Sequence, residues 1–273
     1  MSATLTDKEF EQFQSLIYQQ VGITLDTPKK SLLTSRLGKR LRELQLPSYQ
    51  AYYDRVSGRG GEEELTQLVD LISTNKTDFF REPVHFDFLR EQVLPQVQAT
   101  RSLRIWSSAS SSGEEPYTIA MTLTDAIPDR SRWDIKVLAS DISTRVLAKA
   151  AGGIYEDERV AQLPQDVVRR HFLRGKGEQV GKLKVRKHLS EMIAFRRINL
   201  MAPAFPIKTP LDVIFCRNVM IYFDRPTQAT LMGKFFRYLR PGGYLFIGHS
   251  ESLQWIEHQF TYVKPTIYQK PEA

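Results

Sequence analysis

Apolar residues in the first 75 positions recur three and four residues apart, a spacing that predicts amphipathic helices. The first helix follows Thr6-Asp7-Lys8-Glu9, which is a capping-box signature. The second covers residues 28–46, and the third opens at Pro47-Ser48. A flexible, glycine-rich turn at residues 57–61 leads into the fourth. We therefore predict an all-α domain over residues 1–75.

From about residue 100 the pattern changes to short apolar runs that alternate with helical stretches. This alternation predicts strand–helix units around a parallel sheet, and hence an α/β domain over residues 76–273. The predicted strands cover 103–106, 135–139, 211–216 and 244–247. The predicted helices cover 114–126, 143–151 and 226–239, the last ended by Pro241-Gly242-Gly243. Two final runs, 261–264 and 266–269, flank Pro265 and predict an antiparallel tail.

The stretch from residue 152 to residue 198 differs from both regions. It contains Gly175, Gly177 and Gly181, and its apolar runs, at 182–185 and 192–195, are short. We predict a small antiparallel β subdomain inserted between two strands of the main sheet.

The formal net charge of +7 and the pI of about 9.4 favour an anionic partner: nucleic acid, an acidic protein surface or a membrane face. No apolar run approaches the roughly 18 residues of a membrane span, so we expect no membrane insertion. The single cysteine, Cys216, excludes an internal disulfide framework. The first seven residues lack a basic segment followed by an apolar one, which makes the cytoplasm the expected location.

The turn at residues 107–116, after the first predicted strand, is the first candidate site. Small residues precede Glu114-Glu115-Pro116, and the turn has neither a GxGxxG pattern nor a Gly-Lys-Ser/Thr phosphate cradle. Two adjacent glutamates would repel a pyrophosphate but not a cationic nucleoside such as S-adenosylmethionine. The alternative is structural, because Ser112-Gly113-Glu114-Glu115 is also a capping-box pattern.

Asp141 ends the second predicted strand, where an acid can accept hydrogen bonds from both hydroxyls of a ribose. The alternative is that Asp141 is the N-cap of the helix that starts near Ser143. Arg217 and Asn218 interrupt an apolar stretch at the end of the third strand, which is unusual unless they face a cleft.

The junction 75–81 joins the two predicted domains, and a junction is a common place for a cleft. Its alternative interpretation is structural: Phe79 and Phe80 seal the domain interface, and Arg81 forms a surface ion pair.

Two other features carry less weight. Gly248-His249-Ser250-Glu251-Ser252 nearly matches a nucleophile elbow, but its last glycine is a serine and too little chain follows to supply the acid and the histidine of a hydrolase. The five histidines show no metal-ligand spacing, so we expect no metal.

Taken together, the candidate segments resemble the chemotaxis receptor protein-glutamate methyltransferases, the CheR family. The resemblance rests on six segments that occur in family order. They are Asn75-Lys76-Thr77-Asp78-Phe79-Phe80-Arg81-Glu82, residues 106–117, Ala139-Ser140-Asp141-Ile142, Asn199-Leu200, residues 215–223 and Gly248-His249-Ser250-Glu251.

The resemblance implies a Rossmann-like methyltransferase sheet with an N-terminal all-α domain and the small inserted β subdomain. It implies methyl transfer from S-adenosylmethionine to glutamate carboxylates on the cytoplasmic helical bundle of chemoreceptors, with S-adenosylhomocysteine as product. It also implies that Tyr222 and Arg81 lie near the transferred methyl group. The cofactor-binding residues implied are Asn75, Thr77, Arg81, Glu115, Asp141, Asn199, Leu200, Arg217 and Asn218.

Two basic segments are candidate docking surfaces under this hypothesis. Residues 29–42 carry six basic residues and no acid, and a helix would align Lys29, Arg36 and Arg40 beside its leucine face. Residues 169–187 carry eight basic residues and one acid, and in some relatives this subdomain captures a C-terminal receptor peptide by strand addition. The alternative for both is a solvated basic face.

Two rival functions remain open. The basic charge favours a nucleic-acid methyltransferase, but Arg217-Asn218-Val219-Met220 stands where a base amino methyltransferase usually has a D/N-P-P-Y/F segment. The second rival is a non-catalytic receptor-binding adaptor that merely retains the fold. We expect a monomer with no nucleic-acid partner.

Overall fold

The computed structural model describes residues 4–272, so the first three residues of the predicted helical domain and the last residue of the α/β domain lie outside it. The predicted N-terminal helices are all present in this part of the chain. They are α1 (Asp7–Val21), α2 (Lys30–Glu43), α3 (Tyr49–Ser57) and α4 (Glu62–Ile72). The capping box is formed as predicted, because the Thr6 hydroxyl accepts from Glu9 N while the Glu9 carboxylate accepts from Thr6 N. Phe13, Leu37, Tyr52 and Leu68 are fully buried at the centre of this domain.

Two arginines of the predicted basic stripe on α2 are half-buried and bond to other residues of the helical domain. Arg40 donates to both carboxylate oxygens of buried Glu64, at 2.9 and 2.8 Å, and Glu64 also accepts from the Tyr52 hydroxyl. Arg36 donates to the carbonyl of Leu71 at the end of α4. A helix periodicity shows which residues share a stripe but not which of them find an intramolecular partner. Arg36 and Arg40 have such partners, and the docking role of the stripe stays a prediction.

The segment that joins the two domains is helical, although no element was predicted there. It consists of α5 (Val84–Phe88), a π-helical turn (Leu89–Val93) and α6 (Leu94–Gln96) in direct succession. Phe86, Leu89 and Val93 bury their side chains in the core of the α/β domain.

Residues 4–272 contain ten strands in two sheets. In chain order they are β1 (Ser102–Ser107), β2 (Asp134–Asp141), β3 (Ile154–Glu156), β4 (Phe172–Arg174), β5 (Lys182–Val185), β6 (Ile193–Arg197), β7 (Leu211–Cys216), β8 (Leu239–Ile247), β9 (Thr261–Lys264) and β10 (Ile267–Gln269). The main sheet has the order β6-β2-β1-β7-β8-β10-β9, in which β10 pairs antiparallel with both β8 and β9. The smaller sheet, β3-β5-β4, is antiparallel throughout.

Helices cover both faces of the main sheet, which explains why the central strand β7 is apolar at every position except Asp212. Every residue of β7 is buried. One face packs against α5 and α7 (Glu114–Ala126), and the other packs against α12 (Arg225–Tyr238). The remaining helices are α8 (Thr144–Gly152), α9 (Asp157–Val160), α10 (Gln165–His171) and α11 (Lys187–Ser190).

Two sequence predictions need correction. The inserted subdomain does not reach residue 198, because β6 pairs in parallel with β2 and belongs to the main sheet. A short apolar run does not reveal which sheet it joins. Pro241-Gly242-Gly243 lies within β8 and not in a loop after α12, since α12 ends at Tyr238 and the strand follows at once, with a register shift opposite β7. Within residues 4–272, no helix is both long and apolar enough to span a membrane.

Candidate active site

A cleft opens at the carboxyl ends of β1, β2 and β7, on the side where the strand order reverses. This is the usual ligand position in an open α/β sheet. The cleft holds about 1270 Å³ of empty space, including its open mouth, which is ample for a small organic ligand. The helical domain forms part of its wall. The contributing residues are Val21, Ile23, Leu25, Lys29 and Leu32.

All of the residues predicted for the site line this one cleft, although they come from distant parts of the chain. They are Asn75, Thr77, Arg81, Glu115, Asp141, Asn199, Leu200, Arg217, Asn218 and Tyr222. The sequence pattern does not predict the contribution of the helical domain, because apolar residues at helix ends carry no signal that distinguishes a cleft wall from a core.

Glu115 lies at the start of α7, where its carboxylate accepts from the Ser107 hydroxyl at 2.7 Å and from Arg217 at 2.9 Å. Burial raises the pKa of Glu115, and these two donors oppose the shift. The capping-box alternative for this turn is wrong. The N-cap is Gly113, with φ of 99° and no side-chain cap, and a Cβ there would lie 2.8 Å from the Tyr155 hydroxyl.

Arg217 is the centre of a buried ion network, with only 2% of its side chain exposed. Its guanidinium contacts Glu115 at 2.9 Å and Glu82 at 3.0 Å. Burial alone would raise the pKa of Glu82, but Arg217 and the amide donors around the carboxylate outweigh it and lower that pKa. In the sequence Glu82 stands only at the end of the junction motif, because a pairing with a residue 135 positions away leaves no local signal.

Asp141 accepts from two backbone amides: Ser111 N and Ser143 N, both at 2.9 Å. The N-cap of α8 is Ser143, whose hydroxyl accepts from Val146 N, so the alternative that Asp141 caps this helix is wrong. Burial raises the pKa of Asp141 above its usual range, against the effect of the amide donors.

The junction residues divide between the cleft and the core. The side-chain amide nitrogen of Asn75 is buried, lines the cleft and has no hydrogen-bond acceptor within residues 4–272. Arg81 donates to the Lys76 carbonyl at 3.1 Å and keeps about a third of its side chain exposed. Phe79 packs edge-on against Tyr155 and Phe172 of the β subdomain. The structural alternative is therefore wrong for Phe79, which seals the inserted subdomain instead of the helical domain.

Tyr222 ends a short 3-10 turn (Met220–Tyr222) at the mouth of the cleft. The turn is held by its backbone: Tyr222 O accepts from Thr24 N of the helical domain at 2.9 Å, and the Gln228 side chain donates to the carbonyls of Met220 and Phe223. Asn199 also links the domains, because its amide donates to Gln20 O at 2.7 Å. Two backbone atoms of the helical domain, Thr24 N and Gln20 O, therefore bond to residues that line the cleft.

Glu82, His85 and His249 form the one group within residues 4–272 whose ligand atoms are close enough for a metal ion. The histidine spacing did not predict this group, because it is made by contacts between distant segments. The Glu82 carboxylate already accepts from Arg217, from the Asn218 amide and from His249 N. His85 stacks on Phe246, and burial lowers its pKa to about 3. These donors leave the carboxylate little capacity for a cation, and we assign no metal role to the group.

The donor set of the cleft fits S-adenosylmethionine. The ligand has a sulfonium, an ammonium and two ribose hydroxyls, and the cleft offers two carboxylates: Asp141, which is buried, and Glu115, whose side chain is 11% exposed. The unpartnered amide of Asn75 offers a donor that a polar ligand atom would satisfy.

Comparisons with known proteins agree with this fit. Residues 75–269 match the model of the "CheR methyltransferase, SAM binding domain", and residues 8–73 match that of the "CheR methyltransferase, all-alpha domain". A chemotaxis protein methyltransferase 2 of Pseudomonas aeruginosa is 43% identical, over 96% of this chain and 93% of its own length. The chemotaxis protein methyltransferase of Escherichia coli K12 is 40% identical, over 97% of this chain and 91% of its own length.

A more distant relative gives the same result. The chemotaxis protein methyltransferase of Borreliella burgdorferi is 38% identical, over 99% of this chain and 96% of its own length. These matches cover both domains and confirm the resemblance found in the sequence. The chain belongs to the CheR methyltransferase family, and its larger domain is an S-adenosylmethionine-dependent methyltransferase domain.

Proposed function

We propose that this chain transfers the methyl group of S-adenosylmethionine to glutamate side chains on the cytoplasmic helical bundle of chemoreceptors. The products are glutamate methyl esters and S-adenosylhomocysteine. One observation carries the proposal: the cleft combines two carboxylates, suited to a cationic cofactor, with a tyrosine and an arginine at its mouth and no histidine among its lining residues. A glutamate acceptor is ionised at neutral pH and needs no general base.

The residues of the chain then have distinct roles. When bound, the cofactor supplies a methyl group on a sulfonium sulfur. Asp141 and Glu115 hold the nucleoside and the cationic groups, and Arg217 fixes Glu115 in place. Tyr222 donates a hydrogen bond to the incoming carboxylate, and Arg81 orients it. Because an anion and a cation react to give neutral products, orientation and the exclusion of water supply most of the acceleration.

The assignments of Tyr222 and Arg81 are tested by steady-state kinetics. For Tyr222→Phe and Arg81→Ala we expect kcat to fall by roughly 10²-fold, as when substrate is mispositioned by a small distance. Tyr262→Phe, on the exposed β9, is the control and should keep wild-type turnover. Near-wild-type turnover in both site variants would refute the assignments.

The acceptor is tested by transfer of a labelled methyl group to receptor-containing membranes, RNA and DNA in parallel. We expect label only in the receptor, released as methanol by mild alkali because the product is an ester. Label in RNA or DNA would favour the nucleic-acid rival. If calorimetry detects no S-adenosylmethionine binding, the adaptor rival is favoured instead.

Receptor docking requires outward-facing basic residues, and α2 retains two after Arg36 and Arg40 are assigned to the fold. They are Lys39 and Arg42, and both are exposed. We propose that these residues meet an acidic face of the receptor bundle. The double variant Lys39→Glu, Arg42→Glu should raise KM for the receptor and leave the Kd for S-adenosylmethionine unchanged. An unchanged KM would contradict the docking proposal.

The β subdomain is a second candidate contact, for a C-terminal receptor peptide at residues 169–187. Its outer strand β4 has an unpaired edge in this sheet, and Leu173 on that strand is half exposed. Gly175 lets the following loop fold tightly, because a Cβ there would lie 1.8 Å from Gln179 O. Calorimetric titration with a receptor tail peptide should show binding, which Leu173→Asp should weaken. Absence of heat in the wild type would contradict this contact. We expect the protein to act as a cytoplasmic monomer.

A further inference from the structure

Glu251 lies in the turn after β8 and is 9% exposed. Its carboxylate accepts hydrogen bonds from backbone amides of two segments of the chain. One oxygen accepts from Gly248 N at 2.6 Å and from Asn218 N at 2.9 Å, and the other accepts from Met220 N at 2.8 Å. Within residues 4–272, no lysine or arginine lies within ion-pair distance of this carboxylate, so the amide dipoles are its only close stabilisation.

The amides that Glu251 holds belong to the turn that carries Asn218 and Tyr222 into the cleft. Asn218 has φ of 58°, in the left-handed region that side chains other than glycine seldom adopt. Such a conformation persists only where the surroundings over-determine it. The Glu251 carboxylate stabilises this conformation of Asn218, because it accepts hydrogen bonds from the amides on both sides of Val219.

Gly248, in the turn after β8, leaves room for Asn218 because it has no side chain. A Cβ at position 248 would lie 2.3 Å from the side-chain nitrogen of Asn218 and 2.8 Å from its backbone nitrogen. A residue with a side chain at this position would therefore push Asn218 out of its place. The near match to a nucleophile elbow at residues 248–252 thus has a structural explanation that involves no nucleophile.

We propose that Glu251 is a positioning residue for methyl transfer. By holding the backbone of residues 218–220, it directs Asn218 toward the cofactor and sets the turn from which Tyr222 meets the acceptor. Glu251 touches neither reactant. The inference rests on the proposed function and assigns a role to a residue outside the cleft lining.

The test compares Glu251→Gln with Glu64→Gln, a matched change in a buried carboxylate of the helical domain. An amide group supplies one acceptor oxygen where the carboxylate supplies two, so the hydrogen bonds to one of the two oxygens are lost. For Glu251→Gln we expect the Kd for S-adenosylmethionine to rise about tenfold and kcat to fall by roughly 10²-fold, with KM for the receptor within about twofold. Glu64→Gln should lower the melting temperature and leave Kd and kcat unchanged.

Gly248→Ala is an independent variant in case Glu251→Gln does not fold. The added Cβ displaces Asn218 directly and leaves the Glu251 carboxylate intact. The variant should therefore reproduce the rise in Kd and the fall in kcat. Kd and kcat within about twofold of wild type in the folded variants would overturn the proposal, and so would an equal effect of Glu64→Gln. If the wild-type protein binds S-adenosylmethionine but methylates no receptor, the proposed acceptor fails while the Kd comparison still decides the role of Glu251.

Discussion

Each domain contains a buried cluster of acids and arginines, and the two clusters differ in what they face. In the helical domain, Glu64 is held by Arg40 and Tyr52, and the group is closed within the fold. At the strand ends, Glu115 and Glu82 flank Arg217, and this group borders an open cleft. A buried ion pair by itself is therefore a poor indicator of function. An ion pair that also lines a cavity is a better one.

The backbone shows the same contrast. Of the residues other than glycine with positive φ, one lies in the helical domain, Gln45, within the described residues. In the α/β domain, Ser111 and Asn218 line the cleft, and Phe80 and Glu82 stand on either side of Arg81, which also lines it; their φ values lie between 47° and 58°. Arg101 and Thr266 also have positive φ and lie outside the cleft lining. Strained backbone concentrates where side chains must be held for a ligand.

The largest expected difference between the clusters comes from removing each arginine. Arg217→Met leaves two buried carboxylates without a counter-charge, so we expect the free energy of unfolding to fall by about 3–5 kcal/mol and cofactor binding to be lost. Arg40→Met should cost about 1–3 kcal/mol, because Glu64 keeps the Tyr52 hydroxyl, and it should not change the Kd for S-adenosylmethionine. Denaturant unfolding and calorimetry measure both. Equal loss of cofactor binding would erase the contrast.

Asp141→Asn should have the next largest effect. Asp141 accepts from Ser111 N through one carboxylate oxygen and from Ser143 N through the other. An asparagine has a single side-chain oxygen, so it loses one of these two hydrogen bonds. We expect the Kd for S-adenosylmethionine to rise by about 10–100-fold, which corresponds to about 1.4–2.8 kcal/mol. Calorimetry on Asp141→Asn and on wild type gives the ratio. A Kd unchanged within error would mean that Asp141 supports the turn alone.

The pH dependence separates the clusters by the signs of their pKa shifts. Burial raises the pKa of Asp141 and Glu115, so they gain protons above the usual carboxyl range near pH 4 and lose their attraction for a cation. Hydrogen bonding from Arg40 lowers the pKa of Glu64, so its contribution to stability is present above about pH 4.3 and is lost only as the pH falls through its lowered value.

Lowering the pH from 7 toward the usual carboxyl range near pH 4 should therefore weaken cofactor binding before the fold is lost. The raised pKa values of the two cleft acids favour the folded state as the pH falls, so these acids do not destabilise the apo protein over that interval. Calorimetry and circular dichroism on the same samples measure the two effects. A Kd that stays constant until the helical signal is lost would contradict the assignment.

The smallest expected effect concerns the contact between the domains. The Tyr18 hydroxyl donates to Asp224 at the start of α12, at 2.8 Å. Tyr18→Phe should lower the free energy of unfolding by about 0.5–1.5 kcal/mol, as for an ordinary hydrogen bond, and change kcat by less than about twofold. A large loss of kcat would show that the helical domain controls the cleft through α12 as well as through Thr24.

The elements that sequence predicted best are those with a local cause. The prediction of 211–216 coincides with β7, and that of 114–126 coincides with α7, because a strand covered on both faces is mostly apolar and the helix has clear ends. The placement of β6 was wrong, because strand pairing is a long-range property. The partners of Arg36 and Arg40 were missed for the same reason, since charge in a sequence does not reveal its partner.

The candidate site follows this rule. Asp141 and Arg217 were predicted because polar residues at strand ends are a local signal, and the resemblance supplied Asn75 and Tyr222. Glu82 pairs with Arg217, and Glu251 holds Asn218 N and Met220 N, through contacts more than 30 residues apart, so no local pattern marks these roles.

The most direct test of the contrast between the clusters is calorimetric titration of S-adenosylmethionine into Glu115→Gln and Glu64→Gln. Both changes neutralise one buried glutamate that is paired with an arginine. We predict that the Kd rises at least about tenfold for Glu115→Gln and stays at the wild-type value for Glu64→Gln. A wild-type Kd for Glu115→Gln, or the same loss of affinity in both variants, would contradict the assignment of cofactor binding to the cluster at the strand ends.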